Sequence, residues 1–226
     1  MSDSDDEVIN ERHLKVVLLG ESGCGKTAFC LRFIQDQFFE GYQPTMGVEF
    51  YAKTQRLNNQ MSVGLQIWDV GGKQFESSML DKYVLGADAI IFAYDVTNSV
   101  SFDRIKDWYR LVQRLSAAEQ ERKVQLTLVG MKSDLEHQRA IKLEKHQEFS
   151  KRYHMLSFQT SAKLGDSVAL CFLKTASEVL GVLPHRSELE SNAPVLRAEV
   201  PTIERITDAQ TSEIIWPPKS RTCVLQ

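Results

Sequence analysis

The chain of 226 residues lacks the features that mark membrane, secreted and nucleic-acid-binding proteins. No apolar run approaches the roughly 18 residues that a membrane-spanning helix needs. The acidic residues 2–7 do not have the basic and then apolar segments of a signal peptide. A formal charge of −3 argues against nucleic acid as a partner, because that binding usually needs a basic surface. We therefore expect a cytoplasmic protein with no nucleic-acid partner.

Cysteine is also scarce. The four cysteines have neither the spacing of a zinc site nor the density of a disulfide framework. Hydrophobic residues make up 42% of the chain and charged residues 25%, which is ordinary for a globular protein. The composition therefore predicts a reduced, intracellular protein with a single globular domain.

The distribution of residue types predicts three segments. Residues 1–12 form an acidic, flexible leader, and residues 13–183 form the globular domain. From residue 184 to residue 226 the chain holds most of its prolines and shows little periodicity, so we predict a flexible tail there.

Residues 20–27 read GESGCGKT and contain three of the chain's 12 glycines together with Lys26. A strand-like apolar run precedes this stretch and a helix-like segment follows it, which is the order found in a phosphate-binding P-loop. Glycines allow the backbone to approach a phosphate, and successive N–H groups at a helix start bind anions. Lys26 adds a cation for the phosphates, and the Thr27 hydroxyl is a suitable Mg²⁺ ligand.

Strand-like and helix-like segments alternate along the domain. The strands are predicted at residues 14–19, 48–53, 61–68, 87–94, 124–129 and 154–159, with the second and third forming a hairpin around residues 58–60. Helical periodicity fits residues 28–34, 102–115 and 170–180. The alternation predicts an α/β fold, a three-layer sandwich whose six-stranded, mostly parallel sheet is covered by helices on both faces.

Further polar residues lie where the predicted strands end. Asp69 ends the third strand and faces the P-loop, where a second Mg²⁺ contact is needed. Thr45 lies between the P-loop helix and the hairpin, and is a candidate switch threonine. Lys132-Ser133-Asp134 follows the fifth strand and Ser161-Ala162-Lys163 the sixth. Each signal is weak alone, since a carboxylate at a strand end is more often a helix cap. Their order behind a P-loop makes the set specific.

These motifs together resemble the Ras-like small GTPases, and within them the Rab family. The strings GESGCGKT, PTMGVEF, WDVGG, YDVTNSVSF and TSAK carry the resemblance across residues 14–181. The strings WDVGGKQF, MLDKYVLGA, KSDLEH, GDSVALCF and CVLQ look most like the divergent Rab twenty-eight subfamily. The resemblance implies one antiparallel strand in the sheet, GTP/GDP binding with Mg²⁺, and a switch function in vesicle or endosomal membrane traffic.

The resemblance also assigns roles at the phosphate end of the site. The phosphates would be held by Lys26 and by backbone amides of the P-loop and the helix start, namely those of Gly20, Glu21, Ser22, Gly23, Cys24, Gly25, Thr27 and Ala28. Thr27 and Thr45 would ligate Mg²⁺, and Asp69 would contact it through water. The Gly72 amide would sense the γ-phosphate, and Tyr42 would cover the phosphates. The implied switch loops are residues 38–47 and residues 71–83.

At the base end, the resemblance places Phe38 against the guanine. Asp134 would accept hydrogen bonds from guanine N1 and N2, and Lys132 would lie along the base. The Ala162 amide would meet guanine O6, with Ser161 and Lys163 on either side of it.

Two positions depart from the family pattern. Lys73 replaces the glutamine that orients the attacking water, and lysine cannot accept a hydrogen bond from that water. Met131 replaces the asparagine that tethers the base-binding motif to the P-loop, and a thioether cannot supply the amide's bonds. Lys26, Thr45, Gly72 and Lys73 remain the residues expected to act in hydrolysis. We therefore expect a GTPase that converts GTP to GDP and phosphate slowly without an activating protein, and that holds guanine less tightly.

Two other functions stay open. A nucleotide kinase would need a basic lid over the transferred phosphoryl group, and the sequence has no arginine-rich lid segment. A nucleotide-binding scaffold with little or no turnover is consistent with Lys73 and Met131.

The expected partners follow from the resemblance and from the tail. Effectors, an exchange factor and a GTPase-activating protein would bind a monomer through the switch loops. Cys223 begins a C-a-a-X box with glutamine last, which favours a farnesyl group and implies a prenyltransferase and a lipid-binding carrier. Lys219 and Arg221 alone give weak electrostatic support. We expect peripheral attachment to the cytoplasmic face of an internal or plasma membrane.

Overall fold

Six strands form one sheet in the computed structural model, which describes residues 10–58, 61–116 and 123–191. They are β1 (Asn10–Leu19), β2 (Val48–Asn58), β3 (Met61–Val70), β4 (Ala89–Asp95), β5 (Gln125–Met131) and β6 (Leu156–Gln159). The spatial order is β2-β3-β1-β4-β5-β6, with β2 antiparallel to β3 and every other pair parallel. The predicted sheet and its antiparallel hairpin are confirmed, although turn residues 59–60 lie outside the described chain.

The described residues also form seven α-helices. They are α1 (Lys26–Gln35), α2 (Leu80–Val84), α3 (Ser99–Asp103), α4 (Ile105–Ser116), α5 (Leu143–Arg152), α6 (Val168–Leu180) and α7 (Arg186–Ser191). Two short 3₁₀ turns occur at Gly72–Glu76 and Glu136–Gln138. The helices predicted at residues 28–34 and 170–180 match α1 and α6, while the sequence analysis did not identify α2, α5 or α7.

The helix predicted at residues 102–115 is divided in two at Arg104. The first part, α3, starts earlier than predicted because Asn98 caps it, its side-chain oxygen accepting hydrogen bonds from Val100 N and Ser101 N. A capped start satisfies N–H groups that have no partner within the helix. The second part, α4, packs its apolar residues Ile105, Trp108 and Val112 against the sheet.

The described residues form two hydrophobic core clusters, one on each face of the sheet. On one face α1 and α6 meet, and the rings of Phe29 and Phe33 stack on Phe172 with centroids 4.8 and 4.1 Å apart. On the other face Trp108 and Phe102 belong to the second cluster. Every residue of β4 is buried, because both faces of this central strand are covered.

The helix α7 lies within the segment that the sequence analysis assigned to a flexible tail. The His185 N–H donates a hydrogen bond of 2.9 Å to Leu57 O of β2, and Leu189 packs against the first core cluster. Residues 1–9 and 192–226 lie outside the described chain, and so does Cys223. The three segment boundaries remain predictions.

Register places the carboxyl ends of the central strands together. Leu18 of β1 lies beside Asp69 of β3 and beside Ile91 of β4. Parallel strands end at the same edge of a sheet, where ligands of such folds bind. The loops that follow β1, β3, β5 and β6 therefore meet at one edge.

A buried polar chain lies beneath this edge. His146 of α5 has no exposed surface, and its ring nitrogens lie 2.9 Å from Tyr94 Oη and 2.7 Å from Ser157 Oγ. Gln159 Nε2 donates to Tyr94 Oη at 3.3 Å. Burial, with a smaller contribution from Arg139, lowers the pKa of His146 to about 4. The imidazole is therefore neutral in the folded protein at physiological pH.

Because the pKa of His146 is lowered, we predict that the folded protein loses stability in acid. An unfolded histidine binds a proton below about pH 6.5, whereas His146 in the folded protein does so only near pH 4. Acidification from pH 6.5 to pH 4 should therefore lower the free energy of unfolding by up to about 3 kcal/mol through this residue. Urea titrations of wild type and His146→Gln at several pH values measure the difference. His137→Gln, at an exposed histidine, is the control and should keep the wild-type pH dependence. An equally steep pH dependence in His146→Gln would contradict the assignment.

Candidate functional site

The loop at residues 20–27 connects β1 to α1 under tight steric limits. Gly20 has φ +151°, and a Cβ atom there would lie 2.1 Å from the carbonyl oxygen of Ala93 in β4. Only glycine fits such a position. The helix α1 begins at Lys26 with no side chain capping its first N–H groups. These groups are available to an anion at the helix start.

Lys26 is buried inside the curve of this loop. Its Nζ donates hydrogen bonds to Gly20 O at 2.8 Å and Glu21 O at 3.0 Å. These bonds fix the ammonium group beside the open helix start, where it can neutralise a phosphate. Cys24 is buried next to it, and burial raises the pKa of its thiol, so the side chain packs as a neutral group.

Three oxygen-bearing side chains meet beside Lys26. Thr27 Oγ1 donates to Asp69 Oδ2 at 2.5 Å and lies 2.9 Å from Thr45 Oγ1. Asp69 is fully buried, and burial raises the pKa of its carboxyl, an effect that the Thr27 hydrogen bond opposes. Asp69 Oδ1 has no hydrogen-bond partner among the described residues. Because an unpaired buried oxygen is costly, this hard-oxygen cluster suits a bound water or a Mg²⁺ ion.

The loop after β3 lies directly on the P-loop. A Cβ atom at Gly72 would be 2.2 Å from Ser22 N, so only glycine allows this approach. Gly71 N donates to Gly47 O at 2.9 Å, which joins this loop to the segment after Thr45. Lys73 follows in the 3₁₀ turn and its side chain is exposed to solvent.

Tyr42 lies on the outer side of the P-loop. Its ring carbon Cε2 is 4.0 Å from the position that a Cβ atom at Gly23 would occupy, and 60% of the residue is exposed. The ring is thus near the phosphate-binding loop, where the family resemblance assigned it.

A cavity of about 330 Å³ adjoins the P-loop at the carboxyl ends of β5 and β6. Its lining brings together residues that the sequence analysis predicted from separate motifs, namely Gly25, Ala28, Phe38, Lys132, Asp134, Ala162 and Lys163. Asp134 Oδ1 accepts a hydrogen bond of 2.6 Å from Ser161 Oγ. Lys132 Nζ forms an ion pair of 2.6 Å with Asp95 Oδ2. The two motifs therefore hold each other in place around one cavity.

Met131 forms part of the same wall. It is buried in the cluster that contains Cys24, and its sulfur accepts a hydrogen bond of 3.3 Å from Thr160 Oγ1. Its Cβ lies 3.8 Å from the place that a Cβ atom at Gly25 would take. Met131 thus belongs to the same buried apolar cluster as Cys24 of the P-loop, a placement that the sequence motifs did not predict.

Two arginines at the site were missed from the sequence. Arg32 of α1 donates to Ala162 O and Lys163 O. A signal was present, because Arg32 follows Ala28 by one helical turn and so shares its face. Arg104 donates from Nε to Glu21 Oε1 at 3.3 Å and stacks over the Phe75 ring at 4.6 Å. No local pattern indicated that contact.

Comparisons with known proteins agree on one family. The family model described as Ras family matches residues 15–181. Ras-related protein Rab-28 of Caenorhabditis elegans is 37% identical over 207 residues, covering 92% of this chain and 81% of that protein. Human Ras-related protein Rab-30 is 34% identical over 193 residues, covering 85% and 93%. Ras-related protein RABF2b of Arabidopsis thaliana is 37% identical over 170 residues, covering 75% and 82%.

Among residues 10–58, 61–116 and 123–191, no helix has both the length and the apolar character required to cross a membrane.

Proposed function

This chain belongs to the Ras family of small GTPases, and within it to the Rab proteins, and on that premise we propose how its residues hold and hydrolyse the nucleotide. It is a GTPase that converts GTP to GDP and acts as a switch in membrane traffic. One observation supports the residue assignment. The side chains of Thr27, Thr45 and Asp69 meet beside Lys26, next to a cavity that Asp134 lines.

At the phosphate end, Lys26 and the N–H groups at the start of α1 bind the phosphates. Thr27 and Thr45 would hold Mg²⁺, with Asp69 bound to it through a water molecule. The ion, when bound, neutralises charge that develops on the phosphate oxygens. Gly72 brings its N–H close to the P-loop, where the γ-phosphate of GTP would order the loop after β3.

At the base end, Asp134 selects guanine. Its carboxylate is acceptor-only, and the hydrogen bond from Ser161 Oγ orients it at the wall of the cavity. Guanine offers donors at N1 and N2, whereas adenine would leave a buried acceptor unpaired.

This assignment predicts the base preference. Wild type should bind GTP at least about 100-fold more tightly than ATP, because a site built for a donor edge rejects the base that lacks it. Asp134→Asn should shift the preference from guanine towards xanthine nucleotides, which titrations with the three triphosphates measure. Asp103→Asn, at an exposed aspartate on α3, is the matched control. Equal affinity of the wild type for GTP and ATP would contradict the proposal.

Slow intrinsic hydrolysis follows from Lys73. The side chain is exposed in the 3₁₀ turn after Gly72, and its ammonium group has three donors and no acceptor. It cannot take a hydrogen bond from the attacking water, so the chain alone does not orient that water as glutamine would. An activating protein that supplies an acceptor can restore the rate.

Replacing this lysine tests the idea. Lys73→Gln should increase the single-turnover rate of GTP hydrolysis by about tenfold or more, because an oriented water reacts faster. Lys151→Gln, at an exposed lysine of α5, should leave the rate unchanged. A Lys73→Gln protein that hydrolyses GTP no faster than wild type would show that Lys73 does not limit turnover.

A nucleotide-binding scaffold with little turnover is the second candidate. The observation that favours it is the same exposed Lys73, together with a base-binding wall that Met131 closes by apolar packing. GTP that stays intact through many hours with an activating protein present would favour this candidate over the first.

Rab proteins act through effectors, exchange factors and GTPase-activating proteins. We propose that these partners bind an aromatic surface formed by Phe50, Trp68 and Tyr83. Phe50 is 61% exposed, its ring meets Trp68 edge-on at 4.6 Å, and Trp68 lies 6.4 Å from Tyr83. The surface adjoins both switch loops, and exposed aromatic clusters often mark interaction sites.

Membrane attachment is proposed from the C-a-a-X sequence that begins at Cys223. A farnesyl group there would require a prenyltransferase, and a lipid-binding carrier could hold it in solution. One chain of moderate length gives only marginal binding. Lys219 and Arg221 would add at most about 1 kcal/mol each on an anionic leaflet. We therefore propose reversible exchange between membrane and cytosol.

Cell fractionation tests the lipid. The full chain should divide between the membrane and soluble fractions, and Cys223→Ser should be wholly soluble with unchanged GDP affinity. Cys171→Ser serves as the control that removes a different cysteine, one that is buried in the core. A Cys223→Ser protein that still pellets with membranes would exclude the lipid as the anchor.

A further inference from the structure

The guanidinium group of Arg32 joins two loops that are far apart in the sequence. Its Nε donates to Ala162 O at 2.6 Å and its Nη2 to Lys163 O at 2.9 Å. Its Nη1 donates to Asp36 O at 2.9 Å and to Asp36 Oδ1 at 3.0 Å. Only 16% of the Arg32 side chain is exposed. One side chain thus bonds the loop after β6 and the end of α1 at once.

Both of these loops form walls of the nucleotide-base cavity. Ala162 and Lys163 line one side. Asp36 is the residue that ends α1, with φ 54°, and its N–H donates to Arg32 O. Phe38, two residues further on, lines the cavity as well. Arg32 itself is not among the residues that line the cavity.

We propose that Arg32 is a positioning residue that slows guanine-nucleotide release by holding these two walls together. The proposal rests on the nucleotide function given above. Arg32 acts on the base through the backbone of Ala162 and through the segment that leads to Phe38, and it does not touch the nucleotide. Loss of the guanidinium frees two carbonyl groups of one wall and removes the side-chain bonds to Asp36 of the other, where the backbone bond from Asp36 N to Arg32 O remains.

The chemistry explains why arginine is needed here. Hydrogen bonds from a charged donor are stronger than neutral ones, and the bond to Ala162 O is part-buried, so water replaces it less readily. A planar guanidinium reaches several acceptors in different directions, whereas a lysine ammonium is a compact charge on a flexible stem. The nearby pair of Lys163 Nζ and Glu40 Oε1 spans the same two loops at 3.5 Å, but both side chains are mostly exposed. Such exposed pairs contribute little.

The same geometry couples the first switch loop to the base. A partner that pulls residues 36–38 away from α1 breaks the bonds between Arg32 and Asp36 and leaves the guanidinium less constrained. The carbonyl groups of Ala162 and Lys163 then lose a fixed donor. Displacement of one wall by a bound protein therefore loosens the other wall, and the base is released sooner.

The test is the release of a fluorescent GDP from the full chain in the presence of excess unlabelled GDP. Arg32→Gln should release it about threefold to tenfold faster than wild type, since the part-buried charged hydrogen bond to Ala162 O and the exposed one to Lys163 O are lost. A fluorescent non-hydrolysable GTP analogue should be released faster by a similar factor, because the base end is common to both. The GDP release rate of Arg32→Lys should fall between those of wild type and Arg32→Gln. Arg110→Gln, at an arginine that is 72% exposed on α4, is the matched control and should keep the wild-type rate.

A second readout separates positioning from general damage. Single-turnover hydrolysis of preloaded GTP should change by less than about twofold in Arg32→Lys, because the reacting phosphate lies at the other end of the site. Wild-type release rates in both Arg32 variants would overturn the proposal, as would faster release of the GTP analogue alone. If Arg32→Gln does not fold, the release rate of Arg32→Lys decides. A wild type that binds no GDP would overturn the nucleotide function, and this inference with it.

Discussion

One buried carboxylate organises the phosphate end of this protein. Asp69, the last residue but one of β3, is fully buried, and its oxygen Oδ2 accepts a hydrogen bond from the Thr27 hydroxyl, which also contacts Thr45. A buried charge requires such partners, so the end of β3, the start of α1 and the first switch loop are bound to one group. The sheet order brings these groups together, because β3 lies parallel to β1 and both strands end at the same edge.

The base end of the site is held together by hydrogen bonds between loops and not by a buried carboxylate. Its walls are loops that come from the ends of β5, β6 and α1, and hydrogen bonds between loops hold them. Ser161 Oγ bonds Asp134, Lys132 pairs with Asp95, and Arg32 bonds the carbonyl groups of Ala162 and Lys163. Such loops open more readily than packed elements do. We therefore propose that the phosphate end supplies fixed charge, while opening of the base end controls exchange.

Local sequence predicted the elements that bury apolar residues on a regular period. The strand β4 was predicted because its sequence is apolar nearly throughout, as expected of a strand that is buried on both faces. The helix α6 was predicted because its apolar residues recur on one face. In contrast, α5 buries only His146, Phe149 and Ser150, and two of these are polar, so its pattern gave no signal. The site motifs could be predicted because phosphate chemistry restricts residue types at short spacing. The carbonyl partners of Arg32 in the loop after β6 lie 130 and 131 residues further along the chain, a relation that only the folded topology creates.

We propose that Thr27, Thr45 and Asp69 form a Mg²⁺ site that holds the phosphates of a guanine nucleotide. The most direct measurement is the dissociation rate of fluorescent GDP and of a GTP analogue at saturating Mg²⁺ and after chelation of the metal. Chelation should speed the release of both nucleotides from wild type. Its effect should be much smaller in Thr27→Ala, which lacks the hydroxyl ligand. Wild-type release rates that do not depend on Mg²⁺ would exclude a metal site at these residues.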